Sequence, residues 1–280
     1  MKNYYLEENK IVVTNLNEFN ITHILECGQV FRFVKTNEGY IVFSGEKLAE
    51  IKVFKEKVEI YSKDINYFVN YFDLDTSYTD IKNKLAKFTV LKPMLESAYG
   101  IRILKQNPIE MIISFIISSN NNIKRIQLII DRICRKFGTM QGNENYYAFP
   151  SLKQLEKASV EDFKQCGAGY RASYLYKVVR ELKNFDIKEV YSLNSENAIE
   201  KLLSLSGVGP KVADCILLFG FNKQDCFPVD TWIKKVYNEY FALEKTENVK
   251  QIRKELVNIF SNLSGYAQQY LFYYKRSLEK

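Results

Sequence analysis

The sequence of 280 residues is poor in the residue types that build metal sites and redox centres. It contains one histidine, His23, and five cysteines that are scattered and form no Cys-x-x-Cys pair. Zinc and iron–sulfur sites need clustered cysteine or histidine ligands. The pattern therefore predicts no metal and no cofactor, and it excludes mechanisms that require two histidines. An odd number of dispersed cysteines indicates reduced thiols in a reducing compartment.

Long hydrophobic runs are also missing. The first eight residues contain no apolar signal core. The most apolar stretch, Met111 to Ile117, is far shorter than the roughly 20 residues that span a bilayer. We expect a cytoplasmic protein (nucleoid-associated if bacterial) that has no membrane partner and is a monomer.

Basic and aromatic residues, by contrast, are plentiful. Lys and Arg number 40 against 33 Asp and Glu, which gives a formal charge of +7, and there are 20 Tyr and 19 Phe. A moderate positive charge suits a polyanionic partner such as DNA. Aromatic side chains fill cores and also stack on bases, so composition alone leaves both uses open.

The hydrophobic pattern changes along the chain from strand-like to helical. Residues from about 10 to 62 alternate with the period of strands in an antiparallel sheet that has one exposed face. The predicted strands are Val30–Lys35, Tyr40–Ser44, Leu48–Phe54 and Val58–Tyr61, the first two flanking a turn at 36–39. After about residue 80 the apolar positions recur at helical spacing, with helices predicted over 126–137, around 155–163 and over 173–185. The fold class is therefore α+β.

Residues 196–220 predict two helices joined by a tight glycine turn. Gly207 is suited to end the first helix in a left-handed conformation, and Pro210 to occupy the first position of the second. Such a turn exposes the backbone N–H groups of Gly207, Val208 and Gly209 at a helix N-terminus, which favours a phosphate. This helix-hairpin-helix arrangement holds DNA without recognising its sequence. An ordinary turn between helices is the alternative.

Lys211 and Asp230 are the candidate catalytic residues. Lys211 shares a helix face with Cys215. Its place in the first helical turn, with partial burial, is expected to lower the pKa of the amine, so that it can form a Schiff base. Asp230, in the loop at about 226–232, is placed to cap the following helix and could also stabilise positive charge on a sugar. A surface lysine and a simple helix cap are the alternatives.

Several segments resemble one family in the same order along the chain. LSGVGPKVADC at 205–215 followed by VDTW at 229–232 resembles the helix-hairpin-helix glycosylase superfamily. Within it the chain is similar to the 8-oxoguanine DNA glycosylases of eukaryotes and their bacterial relatives. The further matching segments are CGQVFRF at 27–33, YFDLD at 71–75, NPIEMIISFIISSNNNIKRI at 107–126, GAGYRASYL at 167–175 and GYAQQYLF at 265–272. The resemblance implies an antiparallel β-domain over 1–98, similar to half of a TATA-binding protein, and an α-helical domain over 99–280.

The resemblance also implies roles for individual residues. Lys211 would attack C1′ of the deoxyribose and support strand cleavage by β-elimination, with Asp230 as the catalytic aspartate. The implied base-recognition residues are Gly28, whose carbonyl accepts from N7–H, Gln268 at the Watson–Crick edge, and Cys215 and Phe272 on the two faces of the base. The implied contacts to the orphaned cytosine are Asn120, Arg125 and Arg171, with Tyr170 as an aromatic wedge in the duplex.

The implied activity is that of a bifunctional glycosylase and lyase on double-stranded DNA that contains a damaged purine, 8-oxoguanine opposite cytosine. One departure from the family pattern is Trp232, where a histidine is more usual. The alternatives are an alkylpurine glycosylase, which would not need Lys211, Gly28 or Gln268, a non-catalytic DNA-binding module, and a structural protein with no DNA role.

Overall fold

The computed structural model describes residues 3–141 and 146–279, and its first part is built on an antiparallel sheet. The sheet order is β1-β2-β6-β5-β4-β3, and every neighbouring pair is antiparallel. The six strands are β1 Tyr4–Glu7, β2 Lys10–Val13, β3 Phe33–Lys35, β4 Gly39–Ser44, β5 Lys47–Val53 and β6 Val58–Tyr61. Side chains along β4 alternate between buried and half-buried, as a sheet with one covered face requires.

The strand prediction holds for β4, β5 and β6 and is wrong at the start of the chain. Strand β1 lies before the predicted region. The predicted strand Val30–Lys35 is extended and paired only over Phe33–Lys35. A short helix, α1 Ile21–Glu26, interrupts the sheet, and Asn20 caps it by accepting from the His23 N–H at 3.2 Å. Residues between α1 and β3 instead form a loop that reaches the helical part of the molecule.

Helices make up most of the remainder, as predicted. Those before residue 140 are α2 Ile65–Tyr71, α3 Tyr78–Leu85, α4 Lys92–Ser97, α5 Pro108–Ser118 and α6 Ile123–Phe137. A two-stranded ladder of β7 Met140–Gln141 and β8 Tyr146–Tyr147 follows. The later helices are α7 Leu152–Leu155, α8 Val160–Gln165, α9 Arg171–Glu181, α10 Ile187–Ser192, α11 Ser195–Leu203, α12 Pro210–Gly220, α13 Thr231–Tyr240, α14 Val249–Phe260 and α15 Ser264–Leu278.

Two of the predicted helices differ in their bounds. The helix expected around 155–163 is two short helices, α7 and α8, because Ser151 and Ser159 each begin a helix with a capping box. The helix predicted over 173–185 runs over Arg171–Glu181. None of the helices in the described part of the chain has the length and apolarity that crossing a bilayer requires.

The buried side chains form two clusters that meet along residues 101–106. One cluster lies under the sheet and α2, and the other fills the helical part. Between them Arg102 is fully buried and donates to the carbonyls of Phe72 and Glu18 at 3.0 Å and of Thr76 at 2.8 Å. The predicted domain boundary at residue 98 stays a prediction. Met1 and Lys280, the outer ends of the two predicted domains, lie outside the described residues.

Candidate active site

A cavity of about 580 Å³ lies where the loop after α1, the start of α12, the loop before α13 and helix α15 meet. Six of the residues predicted from sequence line it: Gly28, Lys211, Cys215, Asp230, Gln268 and Phe272. They come from four separate segments of the chain. Such convergence of a lysine, an aspartate and an amide on one concave site of ligand size is typical of a binding or catalytic site.

Lys211 lies in the first turn of α12, directly after Pro210. Its Nζ is 5.7 Å from the ring centroid of Phe115. Burial is the largest influence on Lys211 and lowers its pKa, but Cys215 and Asp230 together outweigh it, so the pKa lies above its ordinary value. The prediction of a lowered pKa is therefore wrong for the free protein. The reason is that the neighbouring acidic groups stabilise the ammonium more than burial destabilises it.

Asp230 has the capping role that its position predicts. Its Oδ1 accepts from the backbone N–H groups of Trp232 at 3.0 Å and Ile233 at 2.9 Å, at the start of α13. Both cap bonds use the same oxygen, so Oδ2 is not needed for the cap. Burial raises the pKa of Asp230, although the Ile233 N–H and the charge of Lys211 oppose the rise.

Cys215, Phe272 and Gly28 form the walls of the cavity. Cys215 is buried one helical turn after Lys211, and burial raises the pKa of its thiol to about 11. Gly28 has a φ of +81°, and a Cβ added there would lie 3.2 Å from Phe272 Cε1. A side chain at position 28 would therefore be strained and would press on the ring of Phe272.

Gln268 is buried in α15, and its amide is held from two sides. Its Nε2 donates to the Pro228 carbonyl at 3.3 Å, and its Oε1 accepts from Gln269 Nε2 at 2.7 Å. The orientation of this amide is therefore set by Pro228 in the loop before α13 and by the next residue of its own helix.

The hairpin between α11 and α12 is anchored from outside. Glu181 accepts from the N–H of Ser206 at 2.8 Å and from its hydroxyl at 2.6 Å. Gly207 has a φ of +84°, in the left-handed conformation that its position predicts. The N–H of Val208 bonds to the Leu205 carbonyl at 3.1 Å. The Val208 N–H is therefore used within the hairpin of the free protein, and the phosphate contact predicted for Gly207, Val208 and Gly209 stays a prediction.

Comparison with known families matches this arrangement along almost the whole chain. Residues 11–112 match the N-terminal domain of 8-oxoguanine DNA glycosylase. Residues 113–262 match the HhH-GPD superfamily of base excision DNA repair proteins, where HhH stands for helix-hairpin-helix. The chain belongs to the HhH-GPD superfamily. The division between the two matches lies 14 residues after the boundary predicted from sequence.

Relatives of known name support the same assignment. A crystal structure of the Clostridium acetobutylicum 8-oxoguanine glycosylase/lyase, in complex with double-stranded DNA that has cytosine opposite 8-oxoguanine, superimposes with a TM-score of 0.93. It is 38% identical and covers 99% of this chain and 98% of the other. A probable N-glycosylase/DNA lyase of Methanothermobacter thermautotrophicus is 35% identical over 80% of this chain and 76% of its own. The N-glycosylase/DNA lyase of Saccharomyces cerevisiae is 29% identical over 85% and 73%.

Four residues to which the resemblance assigns a DNA contact lie outside the cavity, around the loop between α5 and α6. They are Asn120, Arg125, Tyr170 and Arg171. Arg171 is buried, and its guanidinium donates to the carbonyls of Ser119 at 2.9 Å and Asn120 at 2.8 Å. Asn120 has a φ of +48° and is exposed. Arg125 and Tyr170 are also exposed, and the Tyr170 hydroxyl donates to the Ser119 carbonyl at 3.3 Å. In the free protein, then, Arg171 fixes this loop, and any contact of these residues with DNA stays a prediction.

Sequence reasoning missed the residues that hold the site from behind. Gln29 is buried and donates through Nε2 to the Arg102 carbonyl at 2.7 Å, while its Oε1 accepts from the Leu104 N–H at 2.9 Å. It thereby ties the Gly28 loop to residues 101–106. A glutamine directly after Gly28 is the only sequence signal for this role, and Arg102 and Leu104 are more than 70 positions away.

Cavity residues with no role in the sequence prediction include Phe115, Gln269 and Arg276. Within residues 3–141 and 146–279, no group of three or more His, Cys, Asp or Glu side chains is arranged to hold a metal ion. The five cysteines are free and buried.

Proposed function

We propose that this protein is a bifunctional DNA glycosylase and lyase of base excision repair that removes 8-oxoguanine from double-stranded DNA. The observation that carries the proposal is the meeting of Lys211 and Asp230 in one cavity, walled by Cys215 and Phe272. The family assignment and the names of the relatives support the same activity. The target base lies inside the duplex, so it has to be flipped out to reach such a cavity.

Lys211 is the proposed nucleophile. Its ammonium first loses a proton, and the neutral amine attacks C1′ of the deoxyribose while the glycosidic bond breaks and its electron pair leaves with the base. Opening of the sugar ring gives a Schiff base between Nζ and C1′. Loss of a proton from C2′ then expels the 3′ phosphate by β-elimination. The Asp230 carboxylate stabilises the positive charge that develops on the sugar.

The cavity walls are proposed to select the base. Cys215 and Phe272 would lie against its two faces, and Gln268 would bind the Watson–Crick edge. The carbonyl of Gly28 would accept a hydrogen bond from N7–H, which 8-oxoguanine has and guanine lacks. A buried carbonyl that meets the bare N7 of guanine leaves two acceptors face to face, which disfavours the undamaged base.

Residues outside the cavity are proposed to offset the free-energy cost of base flipping. Flipping costs a few kcal/mol. Tyr170 would fill the space in the duplex, and Asn120, Arg125 and Arg171 would contact the orphaned cytosine. The amides of Gly207 and Gly209 would bind a backbone phosphate. We further propose that the protein acts in the cytoplasm, as a monomer.

Borohydride trapping tests the proposal. Wild-type protein, Lys211→Gln and a matched Lys201→Gln variant would be incubated with a duplex that has one 8-oxoguanine opposite cytosine, and with the undamaged duplex. Lys201 lies in α11, where it pairs with Glu189 at the surface. We expect a covalent adduct on damaged DNA with the wild type and Lys201→Gln, and none with Lys211→Gln.

Two other outcomes would change the proposal. Base release by the wild type without any adduct would support the proposed glycosylase activity and contradict the proposed lyase activity. Neither adduct nor base release would overturn the proposed substrate, and alkylated purines would then be tested as the substrate of the alternative glycosylase.

A further inference from the structure

Arg276 lies on the cavity wall where Gly28 and Phe272 meet, and the proposed mechanism gives it no part. It projects from the last turns of α15. A Cβ added at Gly28 would lie 4.0 Å from its Nη1, and its Cζ is 6.0 Å from the ring centroid of Phe272. The guanidinium therefore lies over the Phe272 ring, beside the backbone of Gly28.

Most of the hydrogen-bonding capacity of this guanidinium is unused within the protein. A guanidinium has five N–H donors. In the described part of the chain, one hydrogen bond from Arg276 is found, from Nη1 to the Glu26 carbonyl at 2.8 Å. This bond fixes one side of the group against the end of α1. The remaining donors are available to a ligand that enters the cavity.

The backbone of Gly28 and the Arg276 guanidinium, which lie close together on the cavity wall, suit one edge of an oxidised guanine. Oxidation at C8 places a hydrogen on N7, and the carbonyl oxygens at C6 and C8 lie on either side of it. That edge thus presents a donor next to acceptors. On the cavity wall the Gly28 carbonyl is the proposed acceptor for N7–H, and the Arg276 guanidinium beside Gly28 supplies donors for a neighbouring oxygen. Hydrogen bonds from a charged donor are the stronger ones.

We propose that Arg276 donates a hydrogen bond to a carbonyl oxygen beside N7 of the flipped base and is a specificity-determining residue. The inference rests on the proposed function, since it concerns the base bound in the same cavity. Arg276 would add recognition of an oxygen acceptor to recognition of the N7 hydrogen. The bond to Glu26 holds the guanidinium in place before the base arrives, which limits the ordering cost of binding.

A purely structural role makes a different prediction. If Arg276 served only to tie α15 to α1 through Glu26, its loss would weaken folding and every activity alike. If it contacts the base, its loss would weaken the binding only of DNA that carries the base. An abasic duplex occupies the same protein surface with no base in the cavity, so it separates the two roles.

The experiment measures DNA affinity in the Lys211→Gln background, where no reaction follows binding. The duplexes carry 8-oxoguanine, 8-oxoadenine or a tetrahydrofuran abasic analogue, each opposite cytosine. We expect Arg276→Met to weaken binding of the 8-oxoguanine duplex about tenfold or more and to leave the abasic duplex within about twofold. A similar loss with 8-oxoadenine, which keeps the oxygen at C8 but not at C6, assigns the contact to O8. A loss with 8-oxoguanine alone assigns it to O6.

The control is Lys275→Met, which removes a positive charge from the neighbouring position of α15. Lys275 pairs with Glu239 and does not line the cavity. This variant should leave the preference for the 8-oxoguanine duplex over the abasic duplex unchanged. Arg276→Lys, which keeps the charge and loses the planar fork, should retain part of the preference.

The failure of this inference differs from failure of the proposed function. An equal loss on all three duplexes, or no loss on any, would overturn the role of Arg276 while 8-oxoguanine stays the substrate. If the Lys211→Gln parent does not prefer 8-oxoguanine to guanine in the same duplex, the proposed function fails, and the inference fails with it. Base release by Arg276→Met in the otherwise wild-type protein gives a second readout, in which strand cleavage at a preformed abasic site should be unaffected.

Discussion

Among single residues, Lys211 is the one whose charge has to change during the proposed reaction. Burial lowers its pKa, and Cys215 and Asp230 raise it above the ordinary value. Burial also raises the pKa of the Cys215 thiol to about 11, so the thiol is uncharged at neutral pH. In that range Asp230 is the acidic neighbour whose charge holds the proton on Lys211. Schiff-base formation should therefore increase as the pH rises toward the pKa of Lys211.

Asp230→Asn should shift the midpoint of this pH dependence to lower pH. The substitution removes a charge that raises the pKa of Lys211, so the amine becomes neutral at a lower pH. Asparagine is also a good N-cap and keeps an acceptor for the N–H groups of Trp232 and Ile233. The measurement is the rate of borohydride trapping against pH on a preformed abasic site. A midpoint equal to or above that of the wild type would contradict the assigned coupling.

Gly28→Ala should impair base excision and spare the lyase reaction. The φ of +81° makes any side chain there strained, and the added Cβ would lie 3.2 Å from Phe272 Cε1. The ring, which is the proposed stacking surface for the base, must give way to the added carbon, and misplacement of a positioning group by up to about 1 Å costs tenfold to about a hundredfold in rate. Strand cleavage at a preformed abasic site does not need that space. Both rates can be measured on matched duplexes.

Gly45→Ala is the matched control for this strain. Gly45 has a φ of +57°, yet an added Cβ would meet no atom within 4 Å. Both variants should lose about 1–2 kcal/mol of stability from the left-handed conformation. Only Gly28→Ala should lose excision. Equal excision by the two variants would show that the Phe272 contact does not matter.

The resemblance to a family predicts which residues meet in the cavity but not what holds them there. Lys211 and Asp230 stand in local patterns, a helix start and a helix cap, which spacing reveals. Helix position and burial alone predict a lowered pKa for Lys211, and the direction is reversed by Cys215 and Asp230, which folding brings near the amine. Gln29, Gln269 and Arg276 escaped prediction because their contacts are with backbone or side chains that sequence spacing does not locate.

At the scale of secondary structure elements, the hairpin between α11 and α12 depends on a close approach of backbone to α9. A Cβ at Gly207 would lie 2.8 Å from Tyr174 Cβ, and its φ of +84° adds strain. Gly207→Ala should therefore lose about 2–4 kcal/mol of stability. Gly209→Ala, two residues on, has an ordinary φ and no atom within 4 Å of the added carbon, so its change should stay within about 0.5 kcal/mol. Denaturant unfolding without DNA measures both, and equal losses would contradict the packing argument.

Elements with strong local signals follow from the sequence, and elements fixed by distant contacts do not. Helix α12 begins at Pro210 and α13 follows Asp230, as the capping residues indicate. The sequence does not predict strand β1 or helix α1, because both are short and so few residues carry little periodicity. The pattern of Val30–Arg32 predicts a strand, but these buried side chains belong to the loop that leads to the cavity.

On the scale of the whole molecule, the sheet and the helical part are joined through a few buried polar groups. Gln106 donates through Nε2 to the Gln29 carbonyl at 2.8 Å, and its own N–H bonds to the Phe219 carbonyl in α12 at 3.0 Å. Together with Gln29 and Arg102, this network connects the Gly28 loop to the helix that carries Lys211. The relative position of base-recognition and catalytic residues therefore depends on hydrogen bonds between parts of the chain far apart in sequence.

Arg102 is the member of this network whose loss should be most costly. Its guanidinium is buried, stacks 4.0 Å from the ring centroid of Tyr78, and donates to several carbonyls of the segment after α2. Arg102→Met would fill much of the volume but leave those carbonyls without their donor, and it would remove the positive charge 3.8 Å from the buried Glu18 carboxylate. We expect a loss of about 3–5 kcal/mol, read from denaturant unfolding. Arg135→Met, which breaks an exposed pair with Asp131, should cost less than about 1 kcal/mol. If the two variants unfold alike, the sheet and the helical part are held together by apolar packing and not by Arg102, and the position of Gly28 relative to Lys211 needs another explanation.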